Sequence, residues 1–166
     1  MDKIINNMRY TDTHVYFFTD RAPFSNFYKS YFYYKGYNLN FSEQGFMIEK
    51  ALMFDKSKAL PIAKAKTPNE AKRLGRQIRN YIDSKWSVFR YDKMVEVLRV
   101  KFQDKHLKKI LLDTGDRILV EGSPYDAIWG VKLDWRSNEI LDKKNYNGQN
   151  LLGKALMQVR TELKQI

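Results

Sequence analysis

Apolar and polar residues in the first quarter of the chain follow patterns that are typical of short strands. The aromatic and β-branched run at residues 14–19 (HVYFFT) predicts a strand. Residues 31–41 predict two short strands joined by a tight turn at Lys35-Gly36. Residues 21–28, between these segments, contain turn residues and aromatics without strand alternation, which indicates an ordered loop.

Farther along the chain, apolar residues recur every three or four positions, which predicts helices. Residues 41–55 predict a helix with Ser42 as its N-cap, and residues 67–82 predict a helix that starts with a capping box of Thr67 and Glu70. A third helix is predicted over residues 92–104 and a fourth over residues 107–113, ended by a left-handed Gly115. A strand follows at residues 118–121 and a long exposed loop at residues 132–146. The chain ends with a helix over residues 151–163, capped by Asn150.

Length and composition limit the class of protein. The chain has 166 residues and no internal repeat, which predicts a single compact domain over residues 1–166. It contains no cysteine, and His14 and His106 are far apart, so we expect neither a disulfide nor a metal site nor a cofactor. The first ten residues lack a signal-peptide pattern, and no stretch is long and apolar enough to cross a membrane. These features predict a soluble cytoplasmic protein without a membrane partner.

The formal net charge of +11 is distributed along the chain rather than gathered in a tail. Such a charge favours phosphate-bearing partners, and it is also typical of a lysine-rich surface that only keeps a protein soluble. Lys72, Arg76 and Arg79 have helical spacing, so they form either a ridge that faces phosphate or a solvated helix face. Gly75, in the middle of the same predicted helix, indicates a close approach by another group.

Two segments carry candidate chemistry. Glu43 and Lys50 are seven residues apart in the first predicted helix, so they point the same way at about 10.5 Å along its axis. That spacing suits the two ends of a sugar-sized ligand, and it also suits two solvated side chains. The string DAIWG places Asp126, Trp129 and Gly130 in an irregular region, where binding groups concentrate, although Asp126 is also a common turn residue.

Several strings taken together carry a resemblance to a known family. They are PFSNF, SEQ followed by Lys50, LGR, KF, LLDTGD, LVE, PYDAIWG and NGQNLLGKALMQVR, and they occur in order between Phe17 and Leu163. Jointly they resemble the NADAR family, also called YbiA-like proteins. The resemblance implies an α+β fold, in which a small β-sheet is packed with several helices.

The resemblance also implies an enzyme that cleaves N-glycosidic bonds of phosphorylated ribose compounds. Its substrate would be either a ribosylaminopyrimidine phosphate of riboflavin biosynthesis or ADP-ribose linked to guanine in nucleic acid. The family's site residues map onto this sequence as catalytic Glu43, Lys50 and Asp126 and as substrate-binding Trp86, Trp129, Arg76, Asn150 and Gly130.

Each mapped residue has an expected role. Cleaving a C1′–N bond requires a group at the anomeric carbon and a proton donor for the base. Lys50 would either attack the anomeric carbon and form a Schiff base, provided that an apolar pocket keeps its amine partly neutral, or act as a cation beside that carbon while water attacks. Glu43 would move the proton. We expect Asp126 to hold ribose hydroxyls, Trp129 or Trp86 to stack on the base and Arg76 to bind phosphate.

Two departures from the family pattern lie near the expected ligand site. Val131-Lys132 follows Trp129-Gly130 where the family often has a second glycine, and Tyr146-Asn147 precedes the Gly-Gln-Asn string where a tryptophan is common. They put the choice of substrate in question more than the type of reaction.

An alternative of another class is a non-catalytic module that binds nucleic acid or a nucleotide. Eleven tyrosines and the positive charge would suit stacking and backbone contact. The basic residues are not gathered in one patch, however, and Glu43, Glu121 and Asp126 fit an anion groove poorly.

Overall fold

A computed structural model describes residues 2–166, which fall into two compact units. The sheet unit comprises the described residues up to Tyr28 together with Asp104–Ile166, and the helical unit comprises Lys29–Gln103. The strands are β1 (Lys3–Ile5), β2 (Met8–Tyr10), β3 (His14–Phe17), β4 (Phe32–Tyr34), β5 (Tyr37–Leu39) and β6 (Ile118–Glu121). The helices are α1 (Ser42–Phe54), α2 (Ala59–Ala63), α3 (Pro68–Gly75), α4 (Asp83–Lys101), α5 (Lys105–Asp113) and α6 (Leu151–Lys164). That the chain is a single domain stays a prediction.

The sheet unit contains a four-stranded mixed sheet in the order β1-β2-β3-β6. Pairing is antiparallel up to β3, whereas β3 and β6 are parallel, with His14 opposite Ile118 and Phe17 opposite Glu121. The strands predicted at residues 14–19 and 118–121 are therefore confirmed, the first of them two residues shorter. Strands β1 and β2 are not among the predicted elements. Their turn, Asn6-Asn7, has both residues in the left-handed region, which is the signal that could have found this hairpin.

The loop predicted as exposed over residues 132–146 is exposed along most of its length, but Trp135 and Ile140 anchor it in the core, which the prediction did not include. Trp135 and Ile140 are buried in a cluster with Tyr16, Val120 and Val131. Two short 3-10 helices, Glu139–Leu141 and Lys143–Asn145, shape this segment. Its apolar residues lack regular spacing, so no sequence period could reveal that they are buried.

The helical unit begins with the predicted hairpin of β4 and β5. Its turn residues Lys35 and Gly36 both have positive φ, at 46° and 92°, as a tight hairpin turn requires. In α1, however, the N-cap is Phe41, and Ser42 is already helical. The Gln44 side chain satisfies this helix start by accepting the backbone N–H groups of Asn40 and Phe41, so the prediction of Ser42 as N-cap is wrong.

The predicted second helix is confirmed at its start and wrong at its end. The Thr67 hydroxyl accepts the Glu70 N–H at 3.1 Å, and the Glu70 carboxylate accepts the N–H of Lys66 rather than that of the cap. The helix ends at Gly75, and Asn80 then takes a left-handed conformation, so that Ile82 is 53% exposed instead of continuing the apolar stripe. The next helix consequently starts at residue 83 rather than 92.

The last two helices of the chain agree with the predicted ones. The predicted fourth helix corresponds to α5. It begins two residues earlier than predicted, because Asp104 caps it by accepting the Leu107 N–H. Gly115 follows it with a φ of 63°, the left-handed conformation expected of it. Within the described residues, no helix has the length and apolar character needed to cross a membrane.

Lys101, near the end of α4, is a lysine whose side chain is buried, at 1% exposure. Burial lowers its pKa to about 7, whereas a lysine in an unfolded chain has a pKa of about 10.4. Between these values the unfolded chain holds a proton that the folded chain lacks, so stability should increase with pH. The cost of burying this lysine is therefore full below about pH 7 and disappears as pH approaches about 10.4.

We expect Lys101→Met to raise the melting temperature at pH 7 by several degrees, since about 1 kcal/mol corresponds to roughly 2–4 °C in a chain of this size. The gain should shrink as pH rises. Thermal unfolding followed by circular dichroism between pH 6 and pH 9.5 measures it, with Lys105→Met at an exposed position as the control. A gain that stays constant with pH, or a lower melting temperature, would contradict the assignment.

Candidate active site

Lys50 is held between a backbone carbonyl and an aromatic ring. Its Nζ donates a hydrogen bond to the Gly75 carbonyl at 3.1 Å and lies 4.4 Å from the centroid of the Tyr81 ring. The side chain is half-buried in the helical unit. The amine is therefore fixed in position rather than moving freely in solvent.

The sequence predicted that another group approaches Gly75 closely, and this contact between α3 and α1 explains the position of the Lys50 amine. A Cβ on Gly75 would lie 2.1 Å from the Met47 sulfur, far inside van der Waals contact. A side chain at Gly75 would therefore require Met47 on α1 to move from its present position. Because α3 ends at Gly75, its last carbonyl lacks a partner within the helix and is available to Lys50.

Four aromatic rings form a continuous cluster beside Lys50. Trp86 lies 5.1 Å from Phe46 and 6.5 Å from Phe54, and Phe54 lies 5.3 Å from Tyr81, as measured between ring centroids. Trp86 is buried, whereas Tyr81 is 39% exposed. Trp86 thus supports the cluster from within, and Tyr81 presents the accessible ring. The predicted binding role of Trp86 stays a prediction.

The surroundings of Lys50 lower its pKa. Burial is the largest cause, the negative charge of Glu43 opposes it, Arg76 adds to the lowering and Asp83 opposes it again. The direction matches the requirement that the amine be partly neutral. A neutral amine is a nucleophile, so this position suits attack on an electrophilic carbon.

Glu43 and Arg76 flank Lys50 with opposite charges. Glu43 lies two turns earlier on α1 and is 8% exposed, whereas Arg76 is exposed at the end of α3. Of the two alternatives for Lys72, Arg76 and Arg79, a continuous helical ridge does not form, because Arg79 lies beyond α3 and pairs with Asp55 at 3.2 Å. The structure thus brings together four of the predicted site residues, Glu43, Lys50, Arg76 and Trp86.

Tyr81 and Asp83 are site residues that sequence reasoning missed. The Tyr81 hydroxyl donates to Asp83 Oδ1 at 2.7 Å. Burial and this carboxylate raise the pKa of Tyr81 to about 12, so the phenol stays protonated at neutral pH. The signal that could have found them is a phenol and a carboxylate two residues apart, with the carboxylate at the first residue of α4.

The other four predicted site residues lie together in the sheet unit, where the chain leaves β6. Asp126 Oδ1 accepts the backbone N–H groups of Ile128 and Trp129, both at 2.8 Å. This arrangement is an Asx turn, in which a carboxylate oxygen shapes its own loop. Trp129 follows as a half-buried residue. The predicted roles of Asp126 and Trp129 toward a ligand stay predictions.

Gly130 and Asn150 join the same loop to β6. A Cβ on Gly130 would lie 2.9 Å from the Glu121 carbonyl oxygen, so a side chain there would require a shift. Asn150 is left-handed, with a φ of 52°, and stands at the N-cap position of α6. Its carboxamide does not cap that helix, however, because it accepts the Glu121 N–H and donates to the Leu119 carbonyl. Both residues therefore have a structural role, and their predicted ligand contacts stay predictions.

The two departures from the family pattern have structural explanations. Val131, where a second glycine is often found, is fully buried and packs with Trp135 and Ile140. Tyr146 is partly buried against the same cluster and forms a hydrogen bond with Tyr16. Both positions therefore serve the core of the sheet unit. In the part of the chain that the structure describes, no group of three or more His, Cys, Asp or Glu side chains could hold a metal ion.

Comparisons with known proteins place this chain in a family. A family model described as the NADAR domain matches residues 13–164. An N-glycosidase of Acanthamoeba polyphaga mimivirus is 38% identical over 126 residues, which cover 75% of this chain and 74% of that protein. The chloroplastic riboflavin biosynthesis protein PYRR of Zea mays is 36% identical over 104 residues, which cover 60% of this chain and 15% of that protein.

A solved structure is also similar. The NMR structure of the E. coli protein YbiA matches with a TM-score of 0.76 and 28% identity, and the match covers 94% of this chain and 88% of that one. The predicted α+β fold, a small sheet with several helices, is thereby confirmed.

The carboxamide of Asn150 provides a test of its structural role. We expect Asn150→Ala to lower the free energy of unfolding by roughly 2–4 kcal/mol, because it leaves the Glu121 N–H and the Leu119 carbonyl without partners. Urea unfolding measures the loss. Asn150→Gly keeps the left-handed backbone and should lose a similar amount, whereas Asn147→Ala, exposed in the same loop, should lose little. Unchanged stability in Asn150→Ala would refute this role.

Proposed function

The chain belongs to the NADAR domain family, and we infer that it is an N-glycosidase, an enzyme that hydrolyses the bond between a ribose carbon and a base nitrogen. The observation that carries the mechanism is the Lys50 amine, which is fixed by a carbonyl, partly desolvated and flanked by a buried carboxylate. We propose that its substrate is a phosphorylated ribose compound. The positive charge of the chain, +11, supports a substrate that carries phosphate.

In the proposed reaction, Glu43 takes a proton from the Lys50 ammonium, and the neutral Nζ then attacks C1′ of the ribose. The C1′–N bond to the base breaks, its electron pair stays on the base nitrogen, and Glu43 passes the proton to that nitrogen. The C1′–O4′ bond then breaks, O4′ takes one proton from Nζ, and a protonated Schiff base forms between C1′ and Nζ. Water adds to C1′ and gives one proton to Nζ. The C1′–Nζ bond breaks to release the sugar as an aldehyde, and the second proton of that water returns the lysine to its ammonium form.

Two contacts support this role for Lys50. The Gly75 carbonyl accepts from Nζ at 3.1 Å, which fixes the direction of the amine, and the Tyr81 ring covers one side of it at 4.4 Å. Burial lowers the pKa of Lys50, so a larger fraction of the amine is neutral than for an exposed lysine at the same pH. The competing route is direct attack by water, in which Glu43 acts as base and Lys50 only as a cation.

Borohydride trapping tests the Schiff base. We expect reduction in the presence of ribose 5-phosphate to attach the sugar to Lys50, as mass spectrometry of the digested protein would show. Lys50→Arg keeps the charge but not the nucleophile, so it should lose the adduct and nearly all turnover. Lys105→Arg, at an exposed position, is the control and should lose neither. Turnover in Lys50→Arg within about tenfold of the unsubstituted protein would refute the nucleophile.

Glu43→Gln separates the two functions of the pair. Turnover should fall by about 10²–10⁴-fold, the usual contribution of a positioned acid or base. Trapping of ribose 5-phosphate should persist, because its open-chain aldehyde reacts directly with the lysine amine and no nucleobase has to leave. Loss of the Glu43 charge also lowers the pKa of Lys50 further, which favours the neutral amine. Full turnover in Glu43→Gln would remove the proton shuttle.

Two substrate classes remain candidates, and different observations support each. Similarity to a protein named for riboflavin biosynthesis supports a ribosylaminopyrimidine phosphate. The charge of +11 supports a polyanion such as DNA that carries ADP-ribose on guanine. The same charge supports the second candidate function, a module that binds nucleic acid without cleaving it. That the protein acts in the cytoplasm is likewise a proposal.

A paired assay decides between these possibilities. The protein is incubated separately with a ribosylaminopyrimidine phosphate and with ADP-ribosylated guanine DNA, and released base or ADP-ribose is measured by chromatography. We expect release from one of the two, and Lys50→Arg should abolish it. Release from neither, together with salt-sensitive DNA binding, would instead identify the binding module.

A further inference from the structure

Arg90 lies on α4 one turn after Trp86, so the two side chains leave the helix on the same face. That face carries the aromatic cluster of the Lys50 site, because Trp86 packs against Phe46 and Phe54. Arg90 is half-buried, and its Nε–H is buried without a hydrogen-bond partner among residues 2–166. A charged donor is thus withdrawn from solvent without being satisfied.

This state of Arg90 is unusual for a folded protein. Buried polar groups nearly always have a partner, and exceptions call for a ligand, an ion or a function. Asp55 illustrates the ordinary case, since its buried carboxylate is paired with Arg79 at 3.2 Å. Arg90 forms no ion pair within the described chain. The group that completes Arg90 should therefore be an anion that comes from outside.

Tyr81 is close to both Arg90 and the reacting amine of Lys50. Nζ of Lys50 lies 4.4 Å from the centroid of the Tyr81 ring. Burial and Asp83 raise the pKa of the Tyr81 hydroxyl, and the positive charge of Arg90 opposes them, so Arg90 is close to this tyrosine as well. Lys50 and Arg90 are therefore neighbours of one partly exposed ring.

We propose that Arg90 binds an anionic oxygen of the substrate, the phosphate on the ribose, while the anomeric carbon of the same ribose reaches Lys50. This assignment rests on the function proposed above and changes the expected phosphate anchor from Arg76 to Arg90. Arg76 is exposed in water at the end of α3, where an ion pair contributes little. A guanidinium that is already desolvated binds phosphate more strongly and with defined geometry.

Binding of ribose 5-phosphate and of ribose, measured by calorimetry, tests the proposal without requiring turnover. The folded protein should bind ribose 5-phosphate at least about tenfold more tightly than ribose, as a charge-assisted hydrogen bond implies. Arg90→Gln should abolish that difference and leave the affinity for ribose within about twofold. Arg90→Lys, which keeps a charge without the planar fork, should retain part of it.

Arg73→Gln is the matched control, because it removes the same charge from an exposed position on α3 and should preserve the full difference. Arg76→Gln should preserve most of it. Melting temperatures of all variants confirm folding, and Arg90→Lys provides the test if Arg90→Gln does not fold. A phosphate preference that survives both Arg90 substitutions, or its absence in the unsubstituted protein, would overturn the proposal.

The same measurements distinguish this inference from the proposed function. Phosphate binding that depends on Arg90, in a protein that cleaves no N-glycoside, would leave the anion site standing and refute the enzyme. Turnover that Arg90→Gln reduces equally for phosphorylated and unphosphorylated substrates would refute the phosphate contact and leave the enzyme standing.

Discussion

The approach of α3 to α1 at Gly75 is the constraint on which the Lys50 site depends. A side chain at Gly75 would overlap the present position of Met47, so glycine lets α3 lie against α1 without a shift of that methionine. The same contact ends α3 beside Lys50 and offers the amine a carbonyl that the helix itself leaves unpaired. Packing and chemistry are thus decided by one position, because the glycine that removes a side chain also places an acceptor.

Partial burial of charge is the second theme of the helical unit. Burial withdraws Lys50 from solvent and lowers its pKa, and the negative charge of Glu43 opposes this lowering. Arg90 also loses solvent but gains no acceptor from the described chain. Desolvation costs stability in both cases, and such costs commonly persist where they prepare a site for a ligand. Arg76 is more exposed than Lys50 and Arg90, so water weakens its interaction with an anion the most.

Polar residues of the sheet unit form hydrogen bonds that shape the backbone, in contrast to the partly buried charges of the helical unit. Asp126 shapes its own loop through Ile128 and Trp129, and Asn150 connects the start of α6 to β6 through two hydrogen bonds. These side chains organise the backbone that follows β6. A residue that fits a family motif can therefore be required for architecture, and its motif alone does not distinguish a structural from a binding role.

Local patterns in the sequence determined the strands β3 to β6, the Gly115 stop, the Thr67 cap and the close approach at Gly75, because each depends on a few neighbouring residues. The motifs in order also determined the family, and they predicted the pair Glu43 and Lys50. Only the tertiary structure decided that Trp135 is buried, that α4 starts before Trp86, and that Tyr81 and Arg90 face the Lys50 site. Those outcomes depend on contacts between segments far apart in sequence, which no local period records.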